Sequence, residues 1–266
     1  MYWSTTSREA VSWTTPVAVG QAFSAKERVL LAAPPGRSAS HDRLLAVWRL
    51  PSQGPPGTAW LGPRPGVCLQ VPGPAGTQGH GRVAAAILPN RESLLVWEYD
   101  NSRGGNWALL TSRAEAAAKS WFPAEPLRVE SQGYDRIYPV LAVDGDRVWL
   151  QWAENRLPGH PLVVGISADG GRSFTGVGRV IWPYNKDPDS ALMAAGRWVF
   201  SVASLPWPPR RVWSLSSDGG RHWTVPATVS SGDQERTAAV LLPADAGGAW
   251  LLFSDPAGQV RFARLP

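Results

Sequence analysis

The stretch SADGGRSF, Ser167 to Phe174, is written again as SSDGGRHW, Ser216 to Trp223, about 50 residues further along the chain. Such a stretch fastens its own turn. The Asp carboxylate accepts hydrogen bonds from backbone N–H groups of the turn, and Gly permits a left-handed backbone. The closing aromatic packs back under the hairpin. One turn written twice at this distance predicts a repeated structural unit.

Outward from the two turns, strand signals dominate: RVLLAA, RLLAVW, SLLVWEY, RVWLQW, PLVVGIS, RWVFSV, RRVWSLS and AWLLF. They are short, rich in β-branched and aromatic residues, and bounded by Gly, Pro, Asn and Asp. The one helix-like stretch, RAEAAAKSW, is too short to stand as a helix. The expected class is all-β.

The period recurs in other residue types. Trp48, Trp97, Trp149, Trp198 and Trp250 follow one another at about 50 residues, each in an apolar strand. Trp13 closes a degraded copy of the turn (TSREAVSW), and Trp121 closes a stretched one. Arg28, Arg82, Arg136 and Arg236 each open an apolar strand at one or two periods. A β unit of this length, holding four short strands, is the size of a propeller blade, whereas a solenoid repeat is shorter and a sandwich has no reason to repeat. In the cleanest unit, strand A is YPVLAVDGD, strand B RVWLQWAEN, strand C PLVVGIS, and strand D follows the turn as TGVGRVI. There are five A–B pairs, and the chain starts and ends within a strand C. The expectation is one β-propeller domain over 1–266 with six four-stranded blades, the first incomplete; five blades is the alternative.

Composition narrows the chemistry. The formal charge of +5 is carried almost wholly by arginine, lysine occurring only at Lys26, Lys119 and Lys186. No basic run accompanies it, so nucleic acid is not an expected partner. Cys68 stands alone, which excludes an intrachain disulfide and a Cys-based metal site. His41, His80, His160 and His222 have no ligand spacing, so neither metal nor cofactor is expected. No apolar run approaches the roughly 18 residues of a membrane helix. The N-terminal MYWSTTSREA lacks the basic and apolar regions of a signal peptide.

The pattern SxDxGxxW resembles the Asp-box of the sialidase (BNR-repeat) superfamily. Ser167, Asp169, Gly171 and Phe174 match it, as do Ser216, Asp218, Gly220 and Trp223. The copy ending at Trp13 has Arg8 at the Asp position, and the copy ending at Trp121 carries three extra residues. The resemblance implies that these eight residues are structural and lie on the face away from the active site. The functional face would then be built by the D-to-A and B-to-C loops, and the company that such propellers keep implies an extracytoplasmic or secreted setting.

On that face the resemblance collects Arg28, Arg82, Arg136 and Arg236, which open the inner strands. The acidic groups Glu98, Asp100, Glu154 and Asp255 follow strand B. Tyr134, Tyr138, Trp182, Tyr184 and Trp207 lie in the same loops. Sialidases clamp a sugar carboxylate with three arginines, since a guanidinium fork matches a carboxylate bidentately. Their nucleophile is a tyrosine activated by a glutamate, with an aspartate as acid/base. YDRIYP, Tyr134 to Pro139, is similar to the family's Arg-Ile-Pro motif with Tyr138 inserted before the proline. By that likeness Arg136 is one arm of a clamp, Arg82 and Arg236 the others, and Glu98 or Glu154 the partner of a tyrosine such as Tyr138. An arginine at the same phase of several units is equally what a structural repeat produces.

The remaining tryptophans divide by place. Trp3, Trp60, Trp107, Trp152, Trp213 and Trp223 fall in strands or turns and are expected in the core, while Trp182 and Trp207 fall in loops suited to stacking on a sugar. The expected function is a ligand-binding module with an arginine-lined site for a carboxylated glycan or an acidic protein segment. Arg28, Arg82, Arg136, Arg236, Trp182, Tyr184 and Trp207 are its candidate residues. An active exo-sialidase is the alternative, and a structural propeller in a larger surface assembly is the third reading.

Overall fold

The structure is a computed structural model that describes residues 2–3, 17–18, 29–32, 44–48, 56–61, 69–72, 82–100, 107–115, 120–129, 135–155, 161–181, 190–206, 209–231, 239–244, 248–254 and 259–266. Among the described residues there are strands and turns and no helix, and no helix long and apolar enough to cross a membrane. The chain divides into two compact units, Met1–Gly105 with Leu110–Pro126, and Asn106–Leu109 with Leu127–Pro266.

In the first unit, β3 (Val29–Ala32), β4 (Leu44–Trp48), β5 (Gly57–Leu61) and β6 (Leu69–Gln70) form a four-stranded sheet in chain order. β7 (Val83–Ile87), β8 (Ser93–Asp100), β9 (Trp107–Ala114) and β10 (Glu125–Pro126) form the next. β1 (Tyr2–Trp3) pairs antiparallel with β2 (Val17–Ala18). The first strands β3 and β7 are neighbours. Leu45 and Val47 of one sheet meet Ile87, Leu95, Trp97 and Leu110 of the other in one buried cluster. Trp121 belongs to this cluster and donates its indole N–H to the Thr58 hydroxyl at 2.7 Å.

The second unit repeats the plan. β12 (Asp135–Asp144), β13 (Arg147–Asn155), β14 (Leu162–Ser167) and β15 (Ser173–Ile181) make one sheet. β16 (Ser190–Ala195), β17 (Trp198–Pro206), β18 (Pro209–Ser216) and β19 (Ala227–Ser231) make a second. β20 (Ala239–Pro243), β21 (Ala249–Ser254) and β22 (Val260–Leu265) make a third, three-stranded one. A two-residue strand, β11 (Arg128–Val129), adds parallel to β15, a fifth strand that the four-strand repeat did not predict. First strands are again adjacent, β12 beside β16 and β16 beside β20. The described residues thus hold four complete antiparallel blades, beside the three-stranded sheet and the β1–β2 pair, against the six blades expected. All-β propeller architecture follows from these blades.

Period-2 alternation explains how a blade serves two neighbours. Along β17, Val199, Ala203 and Leu205 enter the cluster built around Trp149 and Val164 of the preceding sheet. Phe200 and Val202 enter the cluster with Ala249 and Leu251 of the following one. Both faces are apolar because both are covered.

The tryptophan series proves to be two series in register. Trp48 and Trp97 sit opposite Val29 and Val83, the first residues of β3 and β7. Trp149, Trp198 and Trp250 sit opposite Ala142, Ala195 and Leu242, near the other end of their hairpins. Trp48, Trp97, Trp121, Trp149 and Trp152 are buried, but Trp250 is 37% exposed. It lies on an open face of the last sheet with Val240, Leu242, Val260 and Phe262, and meets the Phe262 ring edge-on at 5.9 Å.

The two repeated turns close by one scheme. Ser167 Oγ donates to Asp169 Oδ1 at 2.6 Å and accepts the Gly171 N–H at 2.6 Å. Asp169 Oδ1 also takes the amides of Arg172 and Ser173. In the second turn, Ser216, Asp218, Gly220, Arg221 and His222 repeat each of these bonds. His222 Nδ1 lies 2.5 Å from the remaining carboxylate oxygen of Asp218. Both glycines of each turn have positive φ, 69° and 82° in the first and 78° and 99° in the second, which a side chain would strain. Phe174 is fully buried, and the Trp223 indole donates to the Gly220 carbonyl.

The second turn is also tied to other strands. Trp149 of the preceding sheet donates its indole N–H to the Gly219 carbonyl at 2.9 Å, and the Gly219 amide donates to Arg197 O at 2.8 Å. Asp144, at the β12–β13 turn, accepts the Gly196 amide of the β16–β17 turn. One end of these sheets therefore carries both kinds of turn, linked side to side.

Trp149→Phe keeps an aromatic ring, though a smaller one than the indole, and removes the donor to the buried Gly219 carbonyl. We expect a loss of about 1–3 kcal/mol, read from urea unfolding midpoints. The turn carboxylates supply an acid limit. Partial burial pushes Asp169 upward, but hydrogen bonds from Ser167, Ser173 and Arg172 outweigh it and hold the group at about 2. His222, by backbone and side chain, with Ser216 and Arg221, holds Asp218 well below the usual carboxylate range. Groups lowered on folding stabilise above their unfolded value, and that contribution is lost as pH falls through the folded one. Stability should therefore decline from about pH 4 toward pH 2. Asp169→Asn and Asp218→Asn should each flatten that decline in unfolding midpoints taken across the range.

Candidate functional site

The opposite end of the sheets is where the candidate residues lie. In the β12–β13 hairpin, Asp144 pairs with Arg147 at the turn, and Arg136 pairs with Glu154 at the far end. That separation is roughly 25 Å at about 3.3 Å per residue. Arg136 is half-buried, and Glu154 is fully buried. Directly opposite residues of an antiparallel pair are the ones whose side chains interact, so a guanidinium and a carboxylate share one row. Asp135, one residue earlier, accepts the Trp107 amide at 3.0 Å and pins the start of β12.

The other unit writes the same row. Val83 pairs with Trp97, and one step outward the Glu98 amide donates to the Arg82 carbonyl at 3.3 Å. Glu98 is buried and Arg82 is half-buried. Two arginines that open inner strands thus each stand across from a buried glutamate at the end of strand B. Sequence reasoning named all four residues but not their pairing, although the common offset from the hairpin was its signal.

Tyr138, expected in a loop, lies within β12. It has φ 62° and packs against the apolar cluster that includes Trp149 and Ala153. Ala153 and Glu154 are consecutive on β13 and project to opposite faces. Arg28, Arg236, Trp182, Tyr184 and Trp207 lie outside the described residues, as do Tyr134 and Asp255; Asp100 ends β8, but its side chain also lies outside them. Among the described residues no three His, Cys, Asp or Glu side chains cluster as metal ligands would.

One charged residue was missed. Arg211, in β18 opposite Ser204, is fully buried. Its guanidinium reaches the Ser204 hydroxyl at 3.3 Å and lies 4.5 Å from the centre of the Phe253 ring, a cation–π distance. The sequence RRVWSLS reads as an ordinary strand with two surface charges, and nothing local marks the second arginine as buried.

No protein-family model matches the chain, and no curated protein sequence matches it. Solved structures do. A Hadza microbial sialidase superposes with a TM-score of 0.63 at 12% identity, over 89% of this chain and 56% of that one. A Trypanosoma rangeli sialidase in complex with sialic acid superposes with a TM-score of 0.58 at 13% identity, over 97% of this chain and 47% of that one. A thermostable family-43 glycoside hydrolase gives 0.55 at 9% identity, over 90% of each chain. The chain spans about half the length of the two sialidases.

A double-mutant cycle on Arg136→Ala and Glu154→Ala, read by urea unfolding, should return a coupling of about 1 kcal/mol or more. A cycle pairing Arg136→Ala with Val199→Ala, on the next sheet, should be additive. Blades, strand order and structural likeness agree: the chain has a sialidase-like β-propeller fold.

Proposed function

We propose that this propeller binds a carboxylated glycan through Arg136 and the strand ends around it. The observation that carries the reading is the Arg136–Glu154 row. A buried carboxylate across from the guanidinium favours one orientation of it. An arginine held this way presents a planar fork to a ligand carboxylate at low entropic cost. The likeness to sialidases and to a family-43 glycoside hydrolase supports a glycan as the class of ligand.

Hydrolysis is the second reading, favoured by the same neighbours. It requires a tyrosine activated by a glutamate, and the packing of Tyr138 against the apolar cluster on the side away from Glu154 weighs against that pair. Binding without turnover is therefore the reading we adopt.

The deciding experiment titrates N-acetylneuraminic acid into the protein by calorimetry and follows hydrolysis of a fluorogenic sialoside in parallel. We expect saturable binding that raises the melting temperature, and no turnover. Arg136→Lys keeps the charge but loses the fork, and should weaken binding about tenfold. Turnover abolished by Arg136→Lys would instead establish the hydrolase. Absence of both binding and turnover would overturn the glycan reading.

A further inference from the structure

Strand β22 is exposed where its counterparts are buried. In β9, β14 and β18, the third strands of complete blades, no side chain is exposed. In β22, Val260, Arg261, Phe262 and Arg264 all are. The difference follows from pairing. β9 runs between β8 and β10, β14 between β13 and β15, and β18 between β17 and β19. Among the described residues, β22 pairs with β21 alone. A strand edge of this kind is a row of backbone donors and acceptors, and a template for one more strand.

The ladder tells which groups make up the row. The Ala244 amide donates to the Gly248 carbonyl at 3.0 Å, so these two residues are a hydrogen-bonded pair. Such pairs alternate along an antiparallel ladder, and the next is Leu242 with Trp250. Trp250 thus turns its backbone groups toward β20. The bonds from β21 to β22 then join Ala249, Leu251 and Phe253 to Leu265, Ala263 and Arg261. The amides and carbonyls of Val260, Phe262 and Arg264 point the other way, outward.

The side chains of the same three residues share one face of the sheet. Phe262 stands opposite Leu252, and Arg264 opposite Trp250. No strand of this sheet contains Asp or Glu; its charges are Arg261 and Arg264. In the complete blades, every fourth strand lies antiparallel to its third. Added in that sense, a segment with one residue opposite Phe262 sets the residue two before it against Arg264 and the residue two after it against Val260. The complementary pattern is acidic, any, apolar, any, apolar. VRFARL has no carboxylate of its own to offer, so a second copy fits less well.

We propose that the outer edge of β22 is a docking site for an extended segment of another protein, with an acidic residue facing Arg264 and apolar residues facing Phe262 and Val260. Backbone bonds to the outward amides and carbonyls supply affinity, and the alternate side chains supply specificity. This edge is independent of the glycan reading and stands or falls without it.

The probe is the capped peptide TETVTVT, added to the full chain and followed by amide exchange in NMR spectra. In the free protein we expect fast exchange at Val260, Phe262 and Arg264, and slow exchange at Ala263 and Leu265, which bond to β21. Saturating peptide should slow the three outward amides about tenfold or more and leave Ala263 and Leu265 unchanged. The peptide TKTVTVT sets like charge against Arg264 and should bind about tenfold more weakly; Arg264→Glu, a surface change, should reverse that preference. Slow exchange of the outward amides in free monomer would show the edge already covered, and would overturn the proposal. Protection that grows with protein concentration alone would do the same, by making the occupant a second copy. Equal affinity for the two peptides, binding without the alternating protection, or no binding up to the solubility of TETVTVT would each sink it as well.

Discussion

The hydrogen bond from the Trp149 indole to the Gly219 carbonyl joins one sheet to the turn of the next, and much of the second unit's architecture hangs on bonds of this kind. A sheet with two apolar faces has no stable existence alone; it needs a neighbour on each side and a means of fixing the spacing. The indole supplies both, as bulk in the gap and as a directional donor. Its acceptor is available only because Gly219 and Gly220 hold positive φ and bring the turn backbone against the ring. The first unit reaches a related end with other atoms, where Trp121 donates to Thr58 between its two sheets.

This arrangement separates the two ends of a blade. At the turn end, polar groups are satisfied within the blade or by the adjoining hairpin, as with Asp169, Asp218 and Asp144. At the other end, arginine and buried glutamate meet across strands, and the backbone departs from regular pairing at Tyr138.

The sequence was readable where structure is local. The DGG turns, the strand order of each blade and the places of Arg82 and Arg136 at strand openings follow from neighbouring residues. The spacing of tryptophans was a poorer guide, because it counts residues rather than register. The β7–β8 hairpin closes Ile87 onto Ser93, whereas the β12–β13 hairpin closes Asp144 onto Arg147, so equal spacing put Trp97 opposite the first residue of β7 but Trp149 opposite a residue near the end of β12. YDRIYP displayed an extra residue, but a bulge is decided by pairing with β13, which the segment itself does not encode. Arg211 is of the same kind: its burial depends on Phe253 in a different sheet.

The last sheet carries a different consequence. Among the described residues β22 is an outer strand of its sheet, and Val260 and Phe262 are more than two-thirds exposed on it. Outer strands with apolar side chains invite self-association. Centred antiparallel on a second copy of itself, VRFARL would set Arg261 against Arg264 at both ends of the contact. Like charges directly opposite disfavour such pairing, which makes the two arginines gatekeepers of colloidal behaviour. Their guard is electrostatic, and it weakens as salt shortens the reach of charge.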